Sequence, residues 1–253
     1  GLAVGFWALL LLASLALHFL IVPRIIDWRT EIEAAASKAW GVQVSIGQLE
    51  SVSDGLVPSF EVTDFVLRDA QNQEVLRLPK LRASLSPASL LQLSLERIEL
   101  DGPTLEVQHS ADGSWRVAGV DIGVGGSSAM ADWLLRQPAL HIQHGQLRWV
   151  DAFNQQAAVS LSDVSLLMHN GLRSHDLRLD ATPPADWGQR FSLQGQFKQA
   201  LLNGHASDIS TWQGHVYAEL PQIALDKLAV YARALSGVEL MAGQGWLRAW
   251  ADW

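Results

Sequence analysis

Residues 60–67 read Phe-Glu-Val-Thr-Asp-Phe-Val-Leu, and their spacing decides the fold. Apolar and polar side chains alternate, the period of a half-buried strand. Midway the alternation skips, because Thr63 and Asp64 together separate Val62 from Phe65. The same apolar-x-apolar-x-x-apolar-x-apolar spacing recurs at Leu76, Leu78, Leu81 and Ala83, at Leu93, Leu95, Ile98 and Leu100, and at Val159, Leu161, Val164 and Leu166. Leu140, Ile142, Gly145 and Leu147 form a weaker copy. A regular strand cannot skip a residue without turning its side chains to the other face. A β-bulge can, because its extra residue bends the strand and increases its twist. Bulges at matching points of neighbouring strands curve a sheet along one line. Two short strands joined by a tight turn satisfy the same spacing. The bulge reading expects irregular pairing near Thr63–Asp64, Pro79–Lys80, Glu96–Arg97 and Ser162–Asp163. Pro79 favours the second of these, since it has no N–H to give a ladder. Residues 60–68 and 140–148 share the spacing and both end in Leu-Arg, which suggests a repeat.

Before this β-patterned region lies a different kind of segment. Residues 2–22, LAVGFWALLLLASLALHFLIV, carry no charge. As a helix they would span roughly 30 Å, one bilayer core. The run is longer than the apolar region of a signal peptide and no small-x-small cleavage site follows it, so an uncleaved transmembrane anchor is expected. His18 lies near one end, where an imidazole reaches the headgroups. A juxtamembrane helix is expected over residues 23–41, with Asp27 as cap, Trp28, Ile32, Ala36 and Ala39 on one face, and Gly41 as its left-handed stop. The chain begins at Gly1 and ends inside an alternating pattern at Trp253, and is read as the N-terminal piece of a longer protein.

The organisation beyond the anchor is a first β module over residues 42–120, a linker with a short helix over 121–137, and a second β module over 138–253. Asp54-Gly55, Asp101-Gly102 and Asp112-Gly113 mark turns. Ser86-Pro87 opens a helical turn. Gly119 to Ser128 reads as a flexible joint. Met130, Trp133 and Leu134 share one face of a short helix that Pro138 stops. Pro221 is expected to open a further helix, with Leu228, Tyr231 and Leu235 on one face and Gly237 as its stop.

Composition removes several functions. The net charge is −8 and no Lys/Arg stripe forms, against the basic footprint that nucleic acid requires. With no cysteine, disulfides, thiolate zinc sites and thiol nucleophiles are absent together. Gly123, Gly125 and Gly126 lack the Lys-Ser/Thr of a phosphate loop, and Gly243-Gln-Gly245 lacks a third glycine. His141 and His144 fall on opposite faces of a regular strand, poor geometry for one metal. Trp149, Trp212, Trp246, Trp250 and Trp253 sit in strand-like segments. They read as sheet-face packing first and as stacking platforms for sugar or lipid second. No constellation meets the criteria of an enzyme site, and neither metal nor cofactor is expected.

The order of these segments resembles a known family. GVQVSIGQLE (41–50), PSFEVTDFVLRDA (58–70) and LPKLRASLSPASLLQLSLERIELDGPTLEVQHSADGSWRV (78–117) are similar to the N-terminal region of AsmA-like proteins of Gram-negative envelopes. DWLLRQPALHIQHGQLRWVD (132–151) and LDATPPADWGQRFSLQGQF (179–197) are closer to the YhdP subgroup. The resemblance implies a single-pass inner-membrane anchor and a periplasmic, bridge-like, curved antiparallel β-sheet groove with an apolar interior. Its implied function is carriage of phospholipid between inner and outer membranes, with no catalytic residue. The rival is an envelope scaffold that helps outer-membrane biogenesis by binding proteins, through strand addition at an open edge.

Alternation assigns the lipid-facing surface. Val42, Val44, Ile46, Val62, Leu78, Leu81, Leu85, Ile98, Leu100, Leu105 and Val107 are expected to line one apolar face. Such a face is a liability unless acyl chains or a second protein layer cover it. The residues alone favour a closed core, and the resemblance favours an open groove.

Overall fold

The computed structural model describes residues 27–52, 58–69, 71–86, 94–122, 129–199, 208–227 and 243–252, together with Leu12, Arg24, Ala206 and Ala229. The expected anchor, the Ser86-Pro87 helical turn beyond Ser86, and the helix face at Leu228, Tyr231 and Leu235 lie outside the described residues. Among the described residues no helix is long and apolar enough to cross a membrane.

The chain is mainly β, and its strands form one sheet. They are β1 (Gln43–Ser51), β2 (Ser59–Arg68), β3 (Glu74–Ser84), β4 (Arg97–Asp101), β5 (Thr104–His109), β6 (Trp115–Val117), β7 (Val120–Ile122), β8 (Ala139–Asp151), β9 (Val159–Asn170), β10 (Ser174–Thr182), β11 (Phe191–Gln199), β12 (Trp212–Ala224) and β13 (Gln244–Asp252). The spatial order is β1-β2-β3-β4-β8-β9-β10-β11-β12-β13, with β5, β6 and β7 branching from β8. Strands of both expected modules therefore hydrogen-bond into one open, curved sheet.

The sheet is mixed rather than antiparallel. β4 and β5 both run parallel to β8, in the registers Ile98↔Leu140 and Leu105↔Leu147. Hairpins make the other pairs antiparallel, but β4 reaches β8 only through residues 102–138, and a return that long is free to bring a strand in parallel. Within this return, Val120–Ile122 form a strand on β6 and do not belong to a flexible joint.

Among the described residues, helices α1 (Arg29–Trp40) and α2 (Ala129–Leu135) accompany the sheet. Gly41 ends α1 at φ 69°, and its N–H donates to Ser37 O. Asp27 is not the cap: Trp28 occupies that position and makes no side-chain cap bond. α1 lies along the first half of β1's outer edge and occupies backbone groups of Val44, Ile46 and Gly47. Ile46 N–H donates to Glu33 Oε1 at 2.6 Å and Val44 N–H to Ser37 Oγ at 2.9 Å, while Arg29 Nη1 donates to the carbonyls of Ile46 and Gly47. The part of the edge so occupied cannot template another strand.

The skipped residues resolve into left-handed backbone. Asp64 has φ 57°, His144 φ 51° and Asp163 φ 47°. Each is the second of the two residues that interrupt the alternation in β2, β8 and β9. Asp64 faces Gly47 on β1 and Pro79 on β3, and the register continues unshifted through both pairs. This is a kink shared by three strands and not a one-sided bulge. A Cβ on Gly47 would sit 2.9 Å from both Asp64 Cβ and Thr63 O, so the kink demands glycine there. Between β8 and β9 the register does shift, at Ile142/Gly145 and again at Gly145/Leu147, and these are bulges. Pro79–Lys80 thus takes its irregularity from Asp64 opposite, and Glu96–Arg97 is merely where β4 begins. A fourth left-handed residue, Gln222 (φ 50°), marks a register shift between β12 and β13. Pro221 lies beside it inside β12, and the helical residues expected after it begin only at Leu225, since a bulge tolerates a residue without N–H as well as a first helical turn does.

These four are among the seven described non-glycine residues in the left-handed region; all four are polar, and each is held by its side chain. Asp64 pairs with Arg77 and His144 with Asp101. Asp163 accepts from Arg190 through both its carboxylate and its carbonyl, and Gln222 accepts from Gln189. A left-handed conformation at a non-glycine residue costs about 1–3 kcal/mol. Asp64→Val is therefore expected to lower stability by about 2 kcal/mol, because a β-branched residue tolerates φ 57° poorly. Asp64→Gly relieves the backbone and loses only an exposed ion pair, worth about 0–1 kcal/mol. Urea unfolding midpoints of the two variants measure the difference, and equal losses would show that Asp64 is not there for its backbone.

Candidate functional site

Side chains directly opposite one another across a ladder share a face. Following the register from strand to strand gives one row: Leu49, Val62, Leu81, Leu100, Ile142, Leu166, Leu179, Leu193, Ala218 and Ala249. Every member is apolar, and the row crosses the ten strands of the main path. A second row on the same face runs Phe60, Ala83, Ile98, Leu140, Met168, Leu177, Gly195, Val216 and Ala251. Beyond the kink the face continues. Phe65 packs against the cluster of Ile46, Leu49, Phe60, Val62 and Leu85. A Cβ on Gly145 would touch Ile142 Cγ2 at 3.2 Å, so the residues after His144 keep the side of those before it.

Protein covers this face unevenly. Val44, Ile46, Val62, Leu78, Leu85 and Ile98 are buried. Val42, Leu81, Leu100, Leu105 and Val107 are half-buried. Ile32 of α1 and Leu95 pack onto the cluster. Gln137, after α2, ties the cover down: Leu95 N–H donates to its Oε1 at 2.8 Å, and Asn170 Nδ2 donates to its carbonyl. Leu105 and Val107 stand apart, beside Leu147 and Trp149 on the parallel branch. Farther along, Leu166, Met168, Leu177, Leu179, Leu193, Val216 and Ala218 are all only half-buried. These residues were not among those expected to line the face, although their alternation is as clear as that of the first module.

One margin of the face ends in an aromatic cluster. The His175 ring stacks on Trp212 with centroids 3.9 Å apart, and Phe197 leans on the same indole. His175 Nδ1 lies 2.8 Å from Asn170 Oδ1. At the end of the parallel branch Asp151 is fully buried, accepting from Asn154 N–H and Nδ2 and bonded to His109. Burial pushes its carboxyl up, but the bonds from Asn154 and His109 outweigh it and hold the group below the usual carboxylate range. With Asn154 the pair closes the turn after β8.

The opposite face begins as charge. The row Glu61, Arg82, Glu99 lies back to back with the apolar rows. Glu61 binds Lys80 at 2.9 Å and Arg82 at 3.3 Å, and the Lys80 bond foremost holds its carboxyl low. Farther along, across β9–β13, this face forms a depression of about 590 Å³. A second crevice of about 390 Å³ opens between Glu74–Pro79 of β3 and Thr104–Glu106 of β5, where β3 has lost β4 as a neighbour.

The histidines titrate in an order set by these surroundings. The Asp101 bond raises His144 above its ordinary 6.5, whereas burial lowers His175 below it. The stabilisation from His144 is thus full below the ordinary histidine range and lost as pH rises through its raised pKa. That from neutral His175 is full above the range and lost as pH falls through its lowered one. In an NMR titration from high pH, His144 is expected to protonate before His175, and Asp101→Asn is expected to bring His144 back toward 6.5. The reverse order would contradict the placement of both rings.

Comparison with known proteins adds one match. The family model described as YhdP protein matches residues 2–253. No curated protein and no solved structure matches.

Proposed function

The chain belongs to the YhdP protein family, of the AsmA-like group, and from its membership, which supports an envelope-associated role, we propose that its apolar sheet face carries phospholipid acyl chains between the inner and outer membranes. The observation that carries this reading is the pair of apolar rows, unbroken from β2 to β13. A globular core needs apolar side chains inside. It does not need them in register across ten strands with only half of them covered. Acyl chains lying on the rows would keep each CH₂ out of water, worth about 0.8 kcal/mol apiece. Headgroups would stay in solvent at the margin. The reading needs no covalent chemistry, and none of the chain's residues is assigned a catalytic role. Residues 2–22 serve in it as a single-pass inner-membrane anchor, with the sheet in the periplasm.

The scaffold reading keeps one observation in its favour. Among the described residues β13 pairs only with β12, which leaves its other edge free for a strand from an envelope protein.

Two charge substitutions separate a lipid-bearing face from a protein core. Ile98 is 3 % exposed, so Ile98→Asp buries an unpaired carboxylate and is expected to unfold the sheet. Leu179, between Leu166 and Leu193 in the half-covered region, is expected to tolerate Asp in the fold while co-purifying phospholipid, counted by mass spectrometry, drops several-fold. A folded Leu179→Asp protein with its lipid intact, or a parent protein that carries none, would defeat the conduit.

A further inference from the structure

On the polar face the chemistry changes between β9 and β13. Nearer α1 that face is a lattice of ion pairs among Glu61, Lys80 and Arg82. Across the last strands, one cross-strand row instead reads Arg178, Gln194, Tyr217, Trp250, and its neighbour includes Gln196 and His215. Tyr217 and Trp250 sit side by side with ring centroids 5.3 Å apart and planes at 46°. Trp250 is 73 % exposed. The other described tryptophans of the second module's strands divide cleanly. Trp212 is buried and Trp149 leans on Trp115, so packing accounts for both. Arg248 lies over the Trp246 ring at 4.0 Å and supplies that ring with a partner. Trp250 also has a ring partner in Tyr217, but that contact leaves most of its indole in solvent, on the face away from the apolar rows and in the wall of the 590 Å³ depression.

We propose that this depression is a carbohydrate-binding site for hexopyranose oligosaccharides. A sugar ring offers an apolar C–H face and a rim of hydroxyls. The first matches an exposed indole edged by a phenol, and the second matches planar amides that both donate and accept. Gln194 lies directly opposite Tyr217, and Gln196 directly opposite His215. The charges present are largely answered within the site or beside it: Arg178 binds Asp180, and His215 binds Asp252 at 2.6 Å. That leaves no surplus cation to select a phosphate, and Asp176 in the wall adds a negative charge, while Leu167 and the two rings give the apolar patch that a sugar's C–H face needs. The proposal is independent of lipid carriage, which uses the other face.

The test is isothermal titration of the purified chain with chitotetraose and, separately, maltotetraose, alongside indole fluorescence. The parent protein is expected to bind at least one of them. Trp250→Ala is expected to weaken that binding about tenfold, the scale of one lost stacking contact, with Trp250→Phe retaining most of it. Gln194→Ala is expected to weaken it several-fold. Trp250 is exposed, so its variants should keep the parent's melting temperature; if the alanine variant does not fold, Gln194→Ala decides alone. Absence of binding of both sugars by the parent, or binding that Trp250→Ala and Gln194→Ala leave unchanged, overturns the site. So does a Trp250→Ala protein that loses affinity for phosphatidylglycerol vesicles when the parent binds neither sugar, since the ring would then belong to a membrane contact.

Discussion

The structure depends on a backbone constraint at a few polar residues. A strand presents one face for as long as its period of two is unbroken, and a twisted sheet this wide needs its strands bent. A single residue in the left-handed region bends the strand and advances the sequence by one, so the apolar face survives the bend. Asp64, His144 and Asp163 each do this. Glycine would adopt the conformation at less cost, but glycine has no side chain with which to hold the bend. Each of the three instead spends about 1–3 kcal/mol of backbone strain to gain a cross-strand partner, in Arg77, Asp101 and Arg190. The bends become fixed points. Where the neighbour must come close, as at Gly47, the glycine appears on the facing strand.

The two ends of the sheet are treated differently. An edge strand with free N–H and C=O groups invites pairing with any other strand. On β1 that invitation is withdrawn by Arg29, Glu33 and Ser37, three side chains one helical turn apart on α1. The helix thereby has two functions, because its Ile32 also covers the start of the apolar face. β13 carries no such guard among the described residues, and its outward side chains include the exposed Trp246 and Trp250.

Much of this was legible in the residues. The skipped spacing marked the bends at Thr63–Asp64 and Ser162–Asp163, and its weaker copy at Leu140, Ile142, Gly145 and Leu147 holds the third; Asp and His are among the few residues that visit the left-handed region with any ease. The same spacing misled at Pro79–Lys80 and Glu96–Arg97. There the interruption reflects a bend in the facing strand or the start of a strand, and a pattern along one strand cannot distinguish these from its own bulge. Pro221 misled for a similar reason, since a proline at a bulge and one at a first helical turn look alike. The parallel joints of β4 and β5 to β8 were not legible, because they are settled by how residues 102–138 return. Nor was the pairing of rows. Val62 and Leu81 each announce an apolar face, but that they stand opposite one another, and that Ile142 and Leu179 continue their line, is a property of register. The candidate residues chosen from the first module consequently include the best-covered part of the face, while the half-covered part lies in β9–β12.

Register also bears on what such a face can do. In a core, side chains interdigitate from two layers, and each makes contacts peculiar to its place. In a row of Leu, Ile, Val and Ala repeated at the strand spacing of about 4.8 Å, each position resembles the next. A chain of CH₂ groups lying across the row exchanges one aliphatic neighbour for another as it advances, and no step along the rows requires it to enter water. Leaving the face would expose each methylene at about 0.8 kcal/mol, whereas moving along it exposes almost none. In the proposed conduit the free energy along the half-covered part of the rows, in β9–β12, would thus be flat and its walls steep. The flatness comes from the ladder register, and the continuity of the ladder past each bend comes from the left-handed residues. The polar residues at the bends and the apolar residues on the face therefore belong to one device.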